Sequence, residues 1–196
     1  NITVGGTGKT PVVELFARTL RDRGRKVSIL SRGYKSKPLD EPQEWRKKDT
    51  GELILGKYMP KVVSSGKGVE LEVQYAGDEP YMLAKNLDNV SVVVDKDRVK
   101  GGKFAIQELE ADILLLDDGM QFLKIAHSID IVLVDSNSPF GTGAMMPRGT
   151  LREPPRNLCR ADYIFITKCR HPNNKKLIRK IRKYNKVAEI IECTHG

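Results

Sequence analysis

Aromatic side chains are scarce in this sequence: Phe, Tyr and Trp make up 6% of 196 residues, with a single Trp. That leaves few platforms on which single-stranded nucleic acid could stack. Cysteine is scarcer still. Cys159, Cys169 and Cys193 form no CxxC pair and no metal set, and an odd count without an export signal predicts a reduced, cytosolic setting. His127, His171 and His195 are scattered and read as surface residues rather than ligands. No apolar run is long enough to cross a bilayer, and there is no internal repeat or low-complexity tract. The chain opens at Asn1, inside what reads as a strand and without an initiator Met, so a fragment of a longer protein is expected.

What is present is charge and glycine in particular places. The net charge is +9, and the stretch 168–186 carries nine Lys or Arg and no acid, enough to account for the whole excess. Leu177, Ile178, Ile181 and Tyr184 mark an apolar stripe through it at helical spacing, so it reads as a helix with a basic face. Such a face is either simply solvated or attracted to an anionic surface, of lipid headgroups or of nucleic acid. At the other end, TVGGTGKTP (3–11) puts Gly5, Gly6, Thr7, Gly8, Lys9 and Thr10 directly after the apolar pair Ile2 and Val4. Glycines let a backbone wrap closely and aim N–H groups inward, a lysine adds a mobile cation, and a threonine hydroxyl suits magnesium. Thr3 stands where the strict phosphate-loop pattern has its first glycine, leaving the variant G-G-x-G-K-T. Val12, Val13, Phe16 and Leu20 then recur at helical spacing until Gly24, so a helix N-terminus faces the bound anion.

Beyond this helix the pattern alternates. Strands are predicted at 26–30, 90–94, 113–116, 129–134, 163–167 and 187–191, with helices near 79–87, 97–110 and 153–160 and the basic helix between the last two strands. Continuous runs such as Ile113–Leu116 suit strands buried on both faces. The fold class is therefore α/β: a mostly parallel sheet covered by helices, P-loop NTPase-like, forming one nucleotide-binding domain over 1–196. Residues 35–70 are rich in proline, glycine and charge, with short candidate strands near 52–55, 61–64 and 69–73, and read as an inserted flap or β-hairpin. The segment 168–196 reads as the start of a linker to a further domain.

In such sheets ligands bind beyond the carboxyl ends of the strands. The residues there are Arg32 after the first strand, Asp95–Arg98 after the strand ending at Val94, and Asp117 and Asp118 after Leu116, with Gln121 close behind. An apolar run ending in Asp is how P-loop enzymes hold magnesium. Adjacent carboxylates repel, so a cation is the natural way to keep both ionised. Asp78 and Glu79 open a helix, where they serve as cap and first-turn charge or as base and helper near a metal. Arg152 and Glu153 either pair with each other or anchor a wall of the site.

Taken in order, GGTGKTP (5–11), SRGY (31–34), AGDEPY (76–81), DR (97–98), DDGMQ (117–121), FG (140–141) and LREP (151–154) resemble the tetraacyldisaccharide 4′-kinase family of lipid A biosynthesis, over nearly all of 1–168. The resemblance implies an enzyme using ATP and Mg2+ at the cytoplasmic face of the bacterial inner membrane. It would phosphorylate the 4′-hydroxyl of a lipid disaccharide 1-phosphate, with an anionic membrane surface as partner and no nucleic acid. It implies catalytic roles for Asp78, Lys9, Asp117, Asp118 and Arg98, and nucleotide binding by Gly5, Gly6, Thr7, Gly8, Lys9 and Thr10. Magnesium would fall to Thr10, Asp117, Asp118 and Glu79, with Arg32, Gln121, Arg152 and Glu153 as further active-site positions. It also implies an N-terminal membrane-associating helix and a C-terminal second domain outside this stretch. Phe122, His127-Ser128, Thr142 and Arg148 depart from the family pattern. A P-loop switch or carrier ATPase or GTPase is the alternative reading. Ile166-Thr167-Lys168 faintly resembles a guanine-reading motif, but the position that needs Asp holds Arg170.

Overall fold

Three apolar runs, each too short for a helix, organise the first part of the chain: Val27–Ser31 (β1), Val90–Val94 (β5) and Ile113–Leu116 (β6). β1 and β5 are buried along their whole length, as a central parallel strand must be. Both β5 and β6 pair with β1 in parallel, Val27 lying opposite Val90 on one side and Ile113 on the other. The computed structural model describes residues 2–3, 8–47, 49–56, 59–170 and 173–194. Its contacts divide the chain into a unit of Thr10–Asp118 and a unit of Gly119–Gly196 with Asn1–Lys9.

In the 10–118 unit the helices are α1 (Lys9–Asp22, which starts one residue earlier), α2 (Val73–Ala76), α3 (Asp78–Asn86) and α4 (Arg98–Glu108). Side chains alternate across a strand. Val27, Ile29, Val90 and Val92 therefore face Ala17 of α1 and Leu83 and Ala84 of α3. Leu30 and Val93 face the other way, onto Ala105 of α4. Each fully buried Leu or Ile on these faces contributes about 2 kcal/mol. α4 approaches closely because Gly102 has no side chain; a Cβ there would lie 3.2 Å from Leu114 Cδ1.

The segment expected as a flap divides in two. Glu44–Arg46 (β2) and Leu53–Leu55 (β3) form an antiparallel hairpin. Trp45 of this hairpin packs edge-on against Phe104 of α4, with ring centroids 5.4 Å apart. Lys61–Ser64 (β4) instead joins the main sheet as an antiparallel edge strand beside β5, giving the order β4-β5-β1-β6. The strand expected at 69–73 is absent: Gly66 and Gly68 turn the chain at φ 99° and 108°, and Val73 begins α2.

In the other unit, Ile131–Asp135 (β7), Tyr163–Cys169 (β8) and Glu189–Thr194 (β9) form a parallel sheet in that order. The predicted strand at 129–134 is thus shifted, and the helix expected at 153–160 is a 3-10 segment, Pro155–Arg160. The basic helix is shorter than its charge run, Lys175–Arg182 (α5). Ile181 is buried under it, and Leu177, Ile178 and Tyr184 pack against the same core. Lys175, Lys176, Arg179, Lys180 and Lys183 remain exposed.

Asn185 fastens this unit. It is 2% exposed, and its amide donates to the carbonyls of Leu158 (2.7 Å) and Ala161 (2.8 Å). Its Oδ1 accepts from the N–H groups of Val187 (2.9 Å) and Ala188 (2.7 Å). The side chain is saturated, and removing it strands four backbone groups. Asn185→Ala is expected to lower stability by about 3 kcal/mol in denaturant titration, the scale of several buried groups losing their partners. Asp97, the N-cap of α4, accepts from Val99 N–H and Lys100 N–H near solvent, so Asp97→Ala is expected to cost only about 1 kcal/mol.

Candidate functional site

Because β1, β5 and β6 run parallel in matched register, their carboxyl ends finish at one edge. The residues that follow them are Arg32, Asp95 and Asp117. Arg98, the first residue of α4, is 6% exposed. Its Nη2 donates to the Asp117 carbonyl in a long contact of 3.4 Å. Burial pushes this guanidinium below its ordinary value and the nearby Arg32 adds to the push, while Asp117, Asp118 and Asp95 oppose it. One buried cation thus sits in the field of three carboxylates and a second arginine.

The turn between β5 and α4 sets Arg98 in place. Asp95 pairs with Lys100 at 2.6 Å and accepts from the N–H of Asp97 at 2.9 Å. Asp97 in turn caps the helix that Arg98 begins. The two carboxylates therefore hold the first turn of α4 against the sheet edge.

Asp117 is 8% exposed, and Asp118 follows with φ 55°. A non-glycine residue in this left-handed region costs about 1 kcal/mol, least for Asp and Asn. The conformation turns the chain sharply as it leaves β6 and separates the directions of two adjacent acids.

Asp78 and Glu79 are exposed in the first turn of α3. The preceding Gly77 (φ 90°) packs on the Arg32–Tyr34 segment; a Cβ there would lie 3.1 Å from the Tyr34 carbonyl oxygen. On the same segment, a Cβ on Gly33 would fall 2.3 Å from Val94 Cγ1. The Ser31-Arg32-Gly33-Tyr34 stretch is clamped between β5 and the start of α3. Arg32, Arg98, Asp117 and Asp118 therefore gather at one edge, and the helix carrying Asp78 and Glu79 abuts the same segment as Arg32.

Gly5, Gly6 and Thr7 lie outside the described residues. Gly8 has φ 83°, and α1 begins at Lys9 with Thr10 and Pro11 in its first turn. Lys9, Gln121, Arg152 and Glu153 belong to the other unit. There Ile2 is fully buried, Thr3 bridges to Leu151, and the Ile2 carbonyl accepts from the N–H groups of Arg152 (2.8 Å) and Glu153 (3.3 Å). The Glu153 carboxylate is buried and engaged by Asn157 Nδ2 (2.6 Å) and Arg160 Nη2 (2.5 Å). Gln121 is exposed in a 3-10 turn, Gly119–Gln121.

One pairing escaped the sequence. Lys168, at φ 56°, binds Asp135 across β7 and β8 at 2.6 Å. Burial works against the Asp135 carboxylate, but the Lys168 ammonium and the N–H groups of Asn137 and Ser138 hold it below the usual carboxylate range. Both residues lie at the carboxyl ends of their strands, the signal that could have found them. The lysine of the Ile166-Thr167-Lys168 run is thus committed to a carboxylate.

Among the described residues, no three of His, Cys, Asp and Glu converge as a metal cage. Asp117 and Asp118 supply hard oxygens at one edge. One or two carboxylates completed by substrate phosphates and water are what magnesium takes, so the donor set fits that ion.

Known proteins resemble this chain in sequence and fold. The profile of the family described as LpxK, tetraacyldisaccharide-1-P 4′-kinase, matches residues 1–194. The tetraacyldisaccharide 4′-kinase of Halothermothrix orenii is 38% identical over 198 residues, covering 99% of this chain and 47% of that protein. That of Geobacter metallireducens is 41% identical over 169 residues, covering 86% and 45%. The crystal structure of LpxK from Aquifex aeolicus in complex with ATP aligns with a TM-score of 0.69 at 28% identity, over 99% of this chain and 69% of that one. The chain spans about half the length of the two kinases compared by sequence. With the profile running from 1 to 194 and an α/β fold shared with a solved member, the chain belongs to the tetraacyldisaccharide-1-P 4′-kinase family.

Proposed function

We propose that this chain is the nucleotide-binding part of a kinase that transfers the γ-phosphoryl group of ATP to the 4′-hydroxyl of an acylated disaccharide 1-phosphate. The observation that carries the reading is the buried Arg98 set among Arg32, Asp117 and Asp118 at a parallel sheet edge, in a chain of this family. Phosphoryl transfer needs alignment and charge neutralisation more than covalent help. The loop through Gly5, Gly6, Thr7 and Gly8, with Lys9 and the start of α1, cradles the phosphates. Thr10, Asp117 and Asp118 would hold magnesium, with Glu79 as a helper, and the bound ion would neutralise phosphate charge. Arg98 and Arg32 stabilise charge on the transferring group. Asp78 accepts the proton of the attacking hydroxyl, or aims it. Gln121 takes an orienting role, and Arg152 and Glu153 brace Ile2, shortly before the loop in sequence.

The committed Lys168 and the Arg170 in place of an acid disfavour a guanine-reading switch. The exposed basic residues of α5 support operation at an anionic bilayer, at the cytoplasmic face of the bacterial inner membrane.

The deciding assay follows label from γ-labelled ATP into the lipid disaccharide, using the full-length protein that contains this chain. Lys9→Ala and Asp78→Ala are each expected to lower kcat by at least about 100-fold, the scale of a single electrostatic or proton-transfer contribution. Near-wild-type turnover by either variant would remove the role assigned to it. Chelation of divalent cations is expected to abolish transfer, with restoration by added Mg2+. Vesicles containing anionic lipid are expected to co-sediment the protein, less so as salt rises; replacing Lys175, Lys176 and Arg179 by Ser should weaken that binding without changing kcat on detergent-dispersed acceptor.

A further inference from the structure

A lysine on an edge strand ordinarily reaches for solvent and guards the open edge. Lys61, the first residue of the edge strand β4 and paired with Val94, does the reverse. Its ammonium turns onto the chain and donates to Ser36 Oγ (3.3 Å), to the Tyr75 carbonyl (3.0 Å) and to the Lys37 carbonyl. Three protons meet three oxygens, so the charged form is the one the geometry fits. Burial pushes Lys61 below the usual lysine range and the charge of Lys96 adds to the push, while Asp95 opposes it. A cation loses hydration here, and what it gains is a joint between two segments and the sheet.

One of those segments needs the joint. α2 is a single turn, Val73–Ala76, and one turn does not hold its shape by its own hydrogen bonds. Its N-cap residue, Glu72, makes no side-chain cap, and neither does Gly77, the N-cap of α3. The Tyr75 carbonyl lies in the last turn, where carbonyls have no partner within the helix. Lys61 supplies that partner. Asp78 follows three residues after Tyr75.

The other segment, 32–37, is itself fixed. Gly33 lies against β5, where a Cβ would fall 2.3 Å from Val94 Cγ1, and the Ser36 N–H donates to the Gly33 carbonyl at 3.1 Å. The Lys37 N–H then reaches the Gln74 carbonyl at 2.8 Å, and the Tyr75 hydroxyl donates to the Asp40 carboxylate. These bonds join α2 to the segment, and Lys61 joins both to β4. Gly77 closes the clamp by resting on the Tyr34 carbonyl. The head of α3, and with it Asp78, therefore takes its direction from a joint whose centre is the Lys61 ammonium.

We propose that Lys61 is a positioning residue for the phosphoryl transfer, its ammonium holding α2 against the 32–37 segment so that Asp78 meets the acceptor hydroxyl at the productive angle. Lys61 touches no reacting atom and acts through Asp78. The proposal rests on the kinase reading above and adds to it a residue that the reading left without a role.

The test follows kcat in the full-length enzyme, by label transfer from ATP to the lipid disaccharide. Lys61→Ala is expected to lower kcat about 10-fold with KM for ATP unchanged, the scale of a displaced catalytic group. In an Asp78→Ala background the same substitution should cost less than about 2-fold, because a residue that acts through Asp78 then has nothing to position. n-Propylammonium, which has the atoms that Lys61→Ala removes, should restore most of the lost kcat; ethyltrimethylammonium, a cation without N–H donors, should not. Lys61→Met keeps the apolar stem and should repeat the loss if Lys61→Ala unfolds. Loss of folding in both variants would assign Lys61 to stability and overturn the proposal. Wild-type kcat in a folded variant, additive losses with Asp78→Ala, or rescue by n-propylammonium no greater than by ethyltrimethylammonium would overturn it while leaving the kinase reading standing. A wild-type enzyme that transfers no label would overturn the kinase reading, and this assignment with it.

Discussion

The parallel pairing of β1 with β5 and β6 is the constraint on which the site of the 10–118 unit depends. Parallel strands must finish at the same edge, and matched register makes them finish at the same level. Arg32, Asp95 and Asp117 are far apart in sequence, yet each is the first residue beyond its strand. A slip of one residue in either pairing would turn every side chain of that strand to the opposite face, moving Leu30 or Val93 off α4 and Ile29 or Val92 off α1 and α3. The apolar faces that stabilise the sheet thereby also fix where the charged residues stand.

Much of this was readable beforehand. Ile113–Leu116 is a continuous apolar run ended by two acids, so strand and site residue are announced together. Arg32 and Asp118 were legible by the same rule. Failures came where local sequence imitates another state or where a pairing spans distant segments. Val69, Leu71 and Val73 alternate as a strand would, but two glycines in left-handed conformations bend the chain before a ladder can form. Glu44–Arg46 carries two charges in three residues and becomes a strand because Trp45 is held by Phe104, far along the chain. Lys61–Ser64 was visible as a strand, though its partner β5 was not. The Asp135–Lys168 pair and the four-bond role of Asn185 required knowing which segments are neighbours, which periodicity does not encode.

The two units use charge differently. In the unit containing residues 119–196, Asp135 at the end of β7 and the buried Glu153 are answered by cations of the same unit, Lys168 and Arg160. Such pairs fix geometry; Glu153, for example, ties the 3-10 segment to the backbone that carries Ile2. In the 10–118 unit, charges of both signs crowd the sheet edge. Asp95 has Lys100, but Arg32 has no ion pair among the described residues, and Asp117 and Asp118 are consecutive acids.

That crowding has a cost. A buried guanidinium loses several kcal/mol of hydration, which nearby carboxylates only partly offset when a second arginine repels it. Two adjacent carboxylates, one of them buried, repel each other in turn. Charges of both signs thus share the edge, attracting across it and repelling within each sign. A cation alone would quiet the acids and repel Arg32 and Arg98; an anion alone would do the reverse. A cation bound to a polyphosphate would carry charges of both signs in one ligand. Mixed charge gathered at the end of a parallel sheet is therefore in keeping with the nucleotide-binding role proposed above.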